Sequence, residues 1–202
     1  AMMSDVYLLK DFLRSMPEMP MKKDVAESLD GLECNISYVN KIVADLQDYA
    51  KPLKPEPVEI DDLRKEIEGL LSTVKVPSNI EIKLDFDKSI PVLRLDATFL
   101  KRIIINLATN SIQAMPDGGK LTVRAYQKDA KLVITVEDTG IGIPEELKPK
   151  MFTPLLTTKA KGQGFGLAVV KRYTEALGGT ISFESQVGKG TKFIINLPSI
   201  ES

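Results

Sequence analysis

The first fifty residues carry apolar side chains at helical spacing, three or four positions apart. Before the break at Pro17 and Pro20, this spacing is kept by Val6, Leu9, Leu13 and Met16. After the break, steps of four and three alternate through Val25, Leu29, Leu32, Ile36, Val39, Val43, Leu46, Ala50 and Leu53. The pattern predicts two helices, the second with a heptad seam four repeats long, as in helical bundles and coiled coils.

A hairpin of two such helices cannot enclose a core of its own, so one side of the seam needs a partner. A second copy of the chain would complete a four-helix bundle, which predicts a homodimer formed through residues 4–53. The alternative is that the hairpin packs on the C-terminal part of the same chain. Residues 54–59 include Pro55 and Pro57, which predicts an extended linker.

Residues 60–200 are predicted to form one α+β domain. Helical spacing occurs over 60–74, 96–115 and 165–177, and strand-like alternation over 80–86, 121–127, 132–138, 180–185 and 191–197. Helices and mainly antiparallel strands are grouped rather than strictly alternating, which favours a two-layer α/β sandwich. In that fold one sheet is covered by helices on one face.

Composition narrows the possible chemistry. The 202 residues include 27 basic and 28 acidic side chains, so charge gives no reason to expect nucleic acid or an anionic membrane surface as a partner. No apolar run is long enough to cross a bilayer, and the single cysteine, Cys34, fits a reducing, cytoplasmic compartment. The chain contains no histidine, which excludes metal sites with histidine ligands and acid–base catalysis by a histidine of this chain.

The predicted helix over 96–115 has a polar stripe along one face. Arg102, Asn106, Asn110 and Gln113 follow one another at helical spacing among apolar neighbours. An asparagine side-chain oxygen is a neutral ligand suited to Mg²⁺ that takes its other ligands from water and phosphate. Alternatively, these amides simply hydrogen-bond to neighbouring helices or solvent, as buried amides usually do.

A carboxylate follows at the end of a predicted strand. Asp138 comes directly before a turn that contains Gly140 and Gly142. An ionised carboxylate accepts hydrogen bonds only, so Asp138 is a candidate acceptor for the exocyclic amine of adenine. The small glycines would let a flat base approach, although an Asp-Thr-Gly turn is also a common way to leave a strand.

A glycine-rich segment precedes the predicted helix over 165–177. Gly162, Gly164 and Gly166 are spaced two apart, and the amides of a helix start behind such a loop are a ready phosphate site. Lys159 and Lys161 would add positive charge. Glycines also make plain linkers, so this signal alone is weak.

Taken in order, these segments resemble the ATP-binding domain of sensor histidine kinases, whose wider superfamily includes gyrase, the Hsp90 chaperone and the MutL repair ATPase. The resemblance runs from about residue 92 to 198. Asn106 and Asn110 match the N box, 138–142 the first glycine box, 152–159 the F box, 162–167 the second glycine box, and 178–181 with Ser185 and 188–193 the closing strands.

The resemblance implies a site for ATP and Mg²⁺. Asn110 would be the protein ligand of the Mg²⁺ that bridges the phosphates, and Asp138 would hold the adenine amine, supported by Thr191 through water. Residues 153–164 would form a mobile lid. The residues implied to bind nucleotide are Asn106, Asn110, Gln113, Asp138, Gly140, Gly142, Ile143, Lys159, Gly162, Gln163, Gly164, Phe165, Gly166, Leu167 and Thr191.

The resemblance also gives the hairpin a role. Residues 4–53 are similar to the end of the first helix and the whole second helix of the dimerisation and phosphotransfer hairpin. The phospho-accepting histidine of that hairpin normally lies upstream, so the chain is expected to be a fragment that begins after it. The implied function is the ATP-binding catalytic portion of a sensor kinase, which donates the γ-phosphoryl group to a histidine for relay to an aspartate of a response-regulator receiver domain. Autophosphorylation is not expected in this chain.

Several positions depart from the usual pattern of these kinases. Leu155 and Leu156 replace an aromatic pair, Ser111 replaces Ala, Gln113 stands where some members carry a basic residue, Gln163 replaces Thr or Ser, and Phe165 replaces Leu. These departures bear on the fit of the lid more than on nucleotide binding.

Three alternatives remain open. ATPases of the gyrase or chaperone type commonly carry a Glu near the first N-box position to activate water, whereas residues 101–106 contain no acid. Serine kinases of the anti-sigma type share the ATP fold but typically lack the hairpin. A chain without histidine would also suit a dimeric regulator that uses ATP only as a conformational ligand, or that binds a response regulator through its bundle.

Overall fold

The structure, a computed structural model, describes residues 2–17, 19–50, 52–87, 90–154 and 164–198. These residues form two compact units, which divide between residues 50 and 52. Within the described ranges, no helix is both long and apolar enough to cross a membrane.

The N-terminal unit is a hairpin of two helices, α1 (Met2–Ser15) and α2 (Lys22–Ala50). Val6 of α1 and Leu29 of α2 are buried. Lys10 of α1 forms ion pairs with Asp30, at 2.6 Å, and with Glu33, both on α2. Other seam positions of α2 are between 40% and 52% exposed: Val25, Leu32, Val39, Val43 and Leu46.

The C-terminal unit contains seven strands and three α-helices among its described residues. In chain order they are β1 (Val58–Ile60), α3 (Leu63–Ser72), β2 (Ile80–Phe86), β3 (Leu93–Leu95), α4 (Ala97–Gln113), β4 (Gly119–Lys128), β5 (Lys131–Asp138), a short 3-10 helix (Lys148–Lys150), α5 (Gly166–Ala176), β6 (Thr180–Gln186) and β7 (Gly190–Pro198). Five strands form the main sheet in the order β2-β4-β5-β7-β6. All neighbours in it are antiparallel except β2 and β4.

The helices cover one face of this sheet. Along β5, side chains alternate, so that Ile134, Val136 and Asp138 share the helix-covered face and Thr135 lies on the other. The side of α4 that faces the sheet is fully buried at Leu100, Ile103, Ile104 and Leu107. The predicted two-layer α/β sandwich is therefore confirmed.

One buried carboxylate fixes the start of α4. Asp96 is the N-cap residue, and its Oδ1 accepts a hydrogen bond from the Phe99 amide at 3.0 Å. Its Oδ2 accepts a second hydrogen bond, of 2.7 Å, from the amide of Glu56. The same side chain thus joins the helix to the segment that precedes β1.

A second, two-stranded sheet differs from the sequence prediction. β1 and β3 pair in antiparallel fashion, so Val58 and Glu59, which were predicted as linker, belong to a strand. Strands of three residues are too short to show a period of two. They form here because distant segments pair, which local sequence does not reveal.

Candidate functional site

The polar face of α4 meets the start of α5. Asn106 and Asn110 are half-buried, and the Asn106 amide nitrogen donates to the Arg102 carbonyl at 2.7 Å. A Cβ added at Gly166 would lie 3.3 Å from Asn106 Oδ1 and 3.5 Å from Asn110 Nδ2. The missing side chain therefore keeps open a small space between both amides and the first turn of α5.

The first turn of α5 is suited to an anion. The side chain of its N-cap residue, Phe165, is a phenyl ring and does not cap the helix start, so that side chain does not compete for the N-terminal amides. Gly164 before it has a φ of 70°. The side-chain amide oxygens on α4 are suitable ligands for Mg²⁺, and the backbone N–H groups at the start of α5 can donate hydrogen bonds to phosphate oxygens. Together they fit a phosphate with a bound Mg²⁺.

Two residues implied to bind nucleotide turn their side chains inward. Phe165 is 2% exposed, and Leu167 packs against the core. Apolar side chains on both sides of Gly166 anchor the helix start, so only their backbone lies at the candidate site. Gln113, at the end of α4, is exposed. Lys159, Gly162, Gln163 and most of the predicted lid lie outside the described residues.

Asp138 ends a central strand and is 3% exposed. It lies between Leu121 of β4 and Thr191 of β7 in the sheet register. Its Oδ1 accepts hydrogen bonds from the backbone amides of Gly140, at 3.0 Å, and Thr191, at 3.2 Å. Burial raises the pKa of the Asp138 carboxyl, whereas these amides and the nearby Ser111 hydroxyl act in the opposite direction.

A chain of hydrogen bonds continues from Thr191. Its hydroxyl lies 2.9 Å from the hydroxyl of Ser185, which donates to the Gly190 carbonyl at 2.9 Å. The Ile143 amide donates to the same Ser185 oxygen at 2.9 Å. Thr191 and Ile143, both implied by the resemblance, are thus joined through Ser185. The resemblance placed Ser185 in the closing strands but gave it no role in binding, and its hydrogen bonds to Thr191 and Ile143 could not be read from the sequence.

The two glycines after Asp138 are also required by packing against the protein's own backbone. A Cβ at Gly140 would lie 2.4 Å from the Ala114 carbonyl oxygen, at the end of α4. At Gly142, where φ is 71°, it would lie 2.1 Å from the Gln186 carbonyl oxygen. Both positions therefore require glycine for packing, because the protein's own backbone occupies the space that a side chain would take, and the expectation that they also make room for a flat base stays a prediction.

Ser111 lies between the two parts of the site. It directly follows Asn110, is 1% exposed, and acts on the pKa of Asp138. Its hydroxyl makes no hydrogen bond of ordinary geometry with any described residue. The amide face of α4 and the carboxylate of β5 thus meet at a buried, unpaired hydroxyl.

Comparison with known proteins identifies the family. Residues 95–201 match the family described as histidine kinase-, DNA gyrase B-, and HSP90-like ATPase. Sporulation kinase D of Bacillus subtilis (strain 168) is 36% identical over 170 residues, which are 83% of this chain and 34% of that protein. The chain therefore spans about a third of the length of this relative.

Solved structures agree with the sequence comparison. The catalytic domain of the histidine kinase ThkA is 32% identical, with a TM-score of 0.64, and the match covers 71% of this chain and 96% of that one. ThkA in complex with the response regulator protein TrrA is 25% identical, with a TM-score of 0.73, covering 97% of this chain and 57% of that one. The chain belongs to the histidine kinase-, DNA gyrase B- and HSP90-like ATPase family, and it contains a histidine kinase ATP-binding catalytic domain.

Proposed function

We propose that this chain binds ATP with Mg²⁺ and donates the γ-phosphoryl group to a histidine that lies outside residues 1–202, for relay to a response-regulator aspartate. The observation that carries the proposal is the shared space between Asn106, Asn110 and the start of α5, beside the buried Asp138. The acceptor is not among residues 1–202, which contain no histidine. The solved complex of the related ThkA with its response regulator supports the relay step.

In this proposal the two ends of the nucleotide are held by different chemistry. Asp138 accepts the adenine amine on Oδ2, because both of its backbone hydrogen bonds end on Oδ1. The first-turn amides of α5 bind phosphate oxygens, and the Asn110 amide oxygen holds the metal. When bound, Mg²⁺ would offset negative charge on the phosphates, so the chain acts mainly by positioning and electrostatics.

Replacing Asn110 tests the metal and phosphate end. We expect Asn110→Ala to weaken Mg²⁺-dependent binding of a non-hydrolysable ATP analogue roughly tenfold to a hundredfold, because a ligand to a charged group is lost. Calorimetric titrations with Mg²⁺ and with excess chelator measure the effect. Asn196→Ala is the matched control, since Asn196 is also half-buried but lies on β7 near the opposite end of the strand from Thr191. Equal affinity for Asn110→Ala and wild type would place the metal elsewhere.

Transfer of the phosphoryl group needs its own test. The chain is incubated with γ-labelled ATP, Mg²⁺ and a separately made helical hairpin that carries an acceptor histidine. We expect acid-labile label on the added hairpin and none on this chain. Binding of ATP without label on the hairpin would restrict the function to nucleotide binding, as in the regulator alternative.

We also propose that the N-terminal hairpin forms a homodimer. Val25, Leu32, Val39 and Leu46 lie seven residues apart along one line of α2 and stay about half exposed. A heptad line of this kind is typical of a helical seam that needs a partner. A second copy would bury it in a four-helix bundle.

A further inference from the structure

The Ser111 hydroxyl is buried close to Asp138 but is not well paired. The residue is 1% exposed, and its Oγ is near enough to the Asp138 carboxyl to lower the pKa of that group, yet it makes no hydrogen bond of ordinary geometry with any residue that the structure describes. Buried hydroxyls are nearly always well paired, so one without a good partner among the described residues is a position at which a ligand group can accept a hydrogen bond. Here that position is directly next to Asn110 and beside Asp138.

The chemistry of adenine offers a matching group. The 6-amino group and the ring nitrogen N1 are adjacent on the base, the first a hydrogen-bond donor and the second an acceptor. If Asp138 accepts from the amine, as in the proposed function, N1 presents its lone pair beside the carboxylate. A hydroxyl can donate to such a lone pair, whereas a carboxylate cannot.

Resting on that proposed function, we propose that Ser111 is a second adenine-recognition residue: its hydroxyl donates to N1, directly or through one water, while Asp138 accepts from the 6-amino group. Guanine reverses the pattern, with an oxygen at position 6 and an N–H at position 1. Its oxygen would face the Asp138 carboxylate, so Asp138 rejects guanine and Ser111 adds affinity for adenine. Ser111→Ala would keep the rejection of guanine by Asp138 and lose the added affinity for adenine.

Purine analogues separate these two contacts. ATP carries both groups, 1-deaza-ATP lacks N1 but keeps the amine, and purine riboside triphosphate keeps N1 but lacks the amine. We expect Ser111→Ala to weaken the binding of ATP and of purine riboside triphosphate about threefold to tenfold, the range of one neutral hydrogen bond. The binding affinity for 1-deaza-ATP should be unchanged. Ser111→Cys, which keeps the volume but is a weak donor, should behave like Ser111→Ala.

Thr135→Val is the matched control. The Thr135 hydroxyl is also buried and unpaired among the described residues, but it lies on the other face of the sheet from Asp138. Its removal should leave all three affinities unchanged. Thermal unfolding of each variant shows whether the fold is retained.

The outcomes separate this inference from the proposed function. Equal losses for ATP and 1-deaza-ATP would show that Ser111 acts through Asp138 or packing, and would overturn the contact with N1. Unchanged ATP affinity in Ser111→Ala and Ser111→Cys, with binding still dependent on Asp138, would overturn the inference alone. Failure of the wild-type chain to bind ATP would overturn the proposed function and this inference with it.

Discussion

At the scale of single residues, Asp138 stabilises the fold in addition to its proposed role in binding. Its Oδ1 holds the turn after β5 through the Gly140 amide and holds β7 through the Thr191 amide. Burial of the carboxyl works against its ionised form, and its pKa is raised above the ordinary value of 3.8. The folded state therefore binds this proton more tightly than the unfolded chain does.

This raised pKa has a predictable effect on stability. The contribution of Asp138 is most favourable below pH 3.8 and declines as the pH rises from there through the folded-state pKa. Asp138→Asn has no charge to bury. As the pH rises through this interval, its free energy of unfolding should therefore increase relative to that of wild type, by about 1.4 kcal/mol for each unit by which folding raises the pKa of Asp138. Urea unfolding at a series of pH values measures this difference.

Sequence reasoning found the side chains of the site better than their contacts. The order of motifs was enough to select Asn106, Asn110, Asp138 and Thr191, and the structure places the first two together and the last two together. It could not show that Phe165 turns inward, because a motif gives the position of a residue and not the direction of its side chain. Contacts to backbone atoms, such as the Ala114 carbonyl beside Gly140, could not be predicted, because any residue at position 114 would supply the same carbonyl group.

At the scale of elements, α4 depends on how its start is held. Asp96→Ala would remove the N-cap bond to Phe99 and leave the Glu56 amide without its acceptor. We expect a loss of about 2–4 kcal/mol in the free energy of unfolding, the sum of a lost cap and an unpaired amide. Urea denaturation measures it.

Asp62 provides the comparison for this prediction. It caps α3 in the same manner, accepting from the Lys65 amide at 3.1 Å, but is exposed and holds no second segment. Asp62→Ala should therefore be clearly less destabilising than Asp96→Ala. Equal losses would mean that the bond to Glu56 contributes nothing to stability.

Elements with a long apolar pattern were predicted closely, and short ones were not. The helix expected over 96–115 is α4, Ala97–Gln113, and the strand expected over 80–86 is β2. β1 and β3 were missed because each has three residues and depends on the other for its hydrogen bonds. The parallel pairing of β2 with β4 is also a property of the assembled sheet and not of either strand.

At the scale of the whole molecule, the exposed line on α2 predicts the oligomeric state. Replacing Leu32 and Val39 together by Lys would place two charges in the proposed seam, and we expect dimer affinity to fall at least roughly a hundredfold. Light scattering over a range of concentrations measures the mass. Cys34→Lys with Ser37→Lys adds the same charge away from that line and should leave the dimer intact. A wild-type chain that stays monomeric at high micromolar concentration would contradict the proposal.

The position of β7 has a consequence for how the chain is made. The last described strand is an interior one, between β5 and β6, and it supplies the Thr191 amide that binds Asp138. During synthesis the sheet therefore cannot close until Gly190–Pro198 have left the ribosome. A chain that terminates before Gly190 would lack both a central strand and the partner of the buried carboxylate. Such a truncated chain would be unfolded and open to cellular proteases. It would therefore not persist as a domain that binds nucleotide but does not signal.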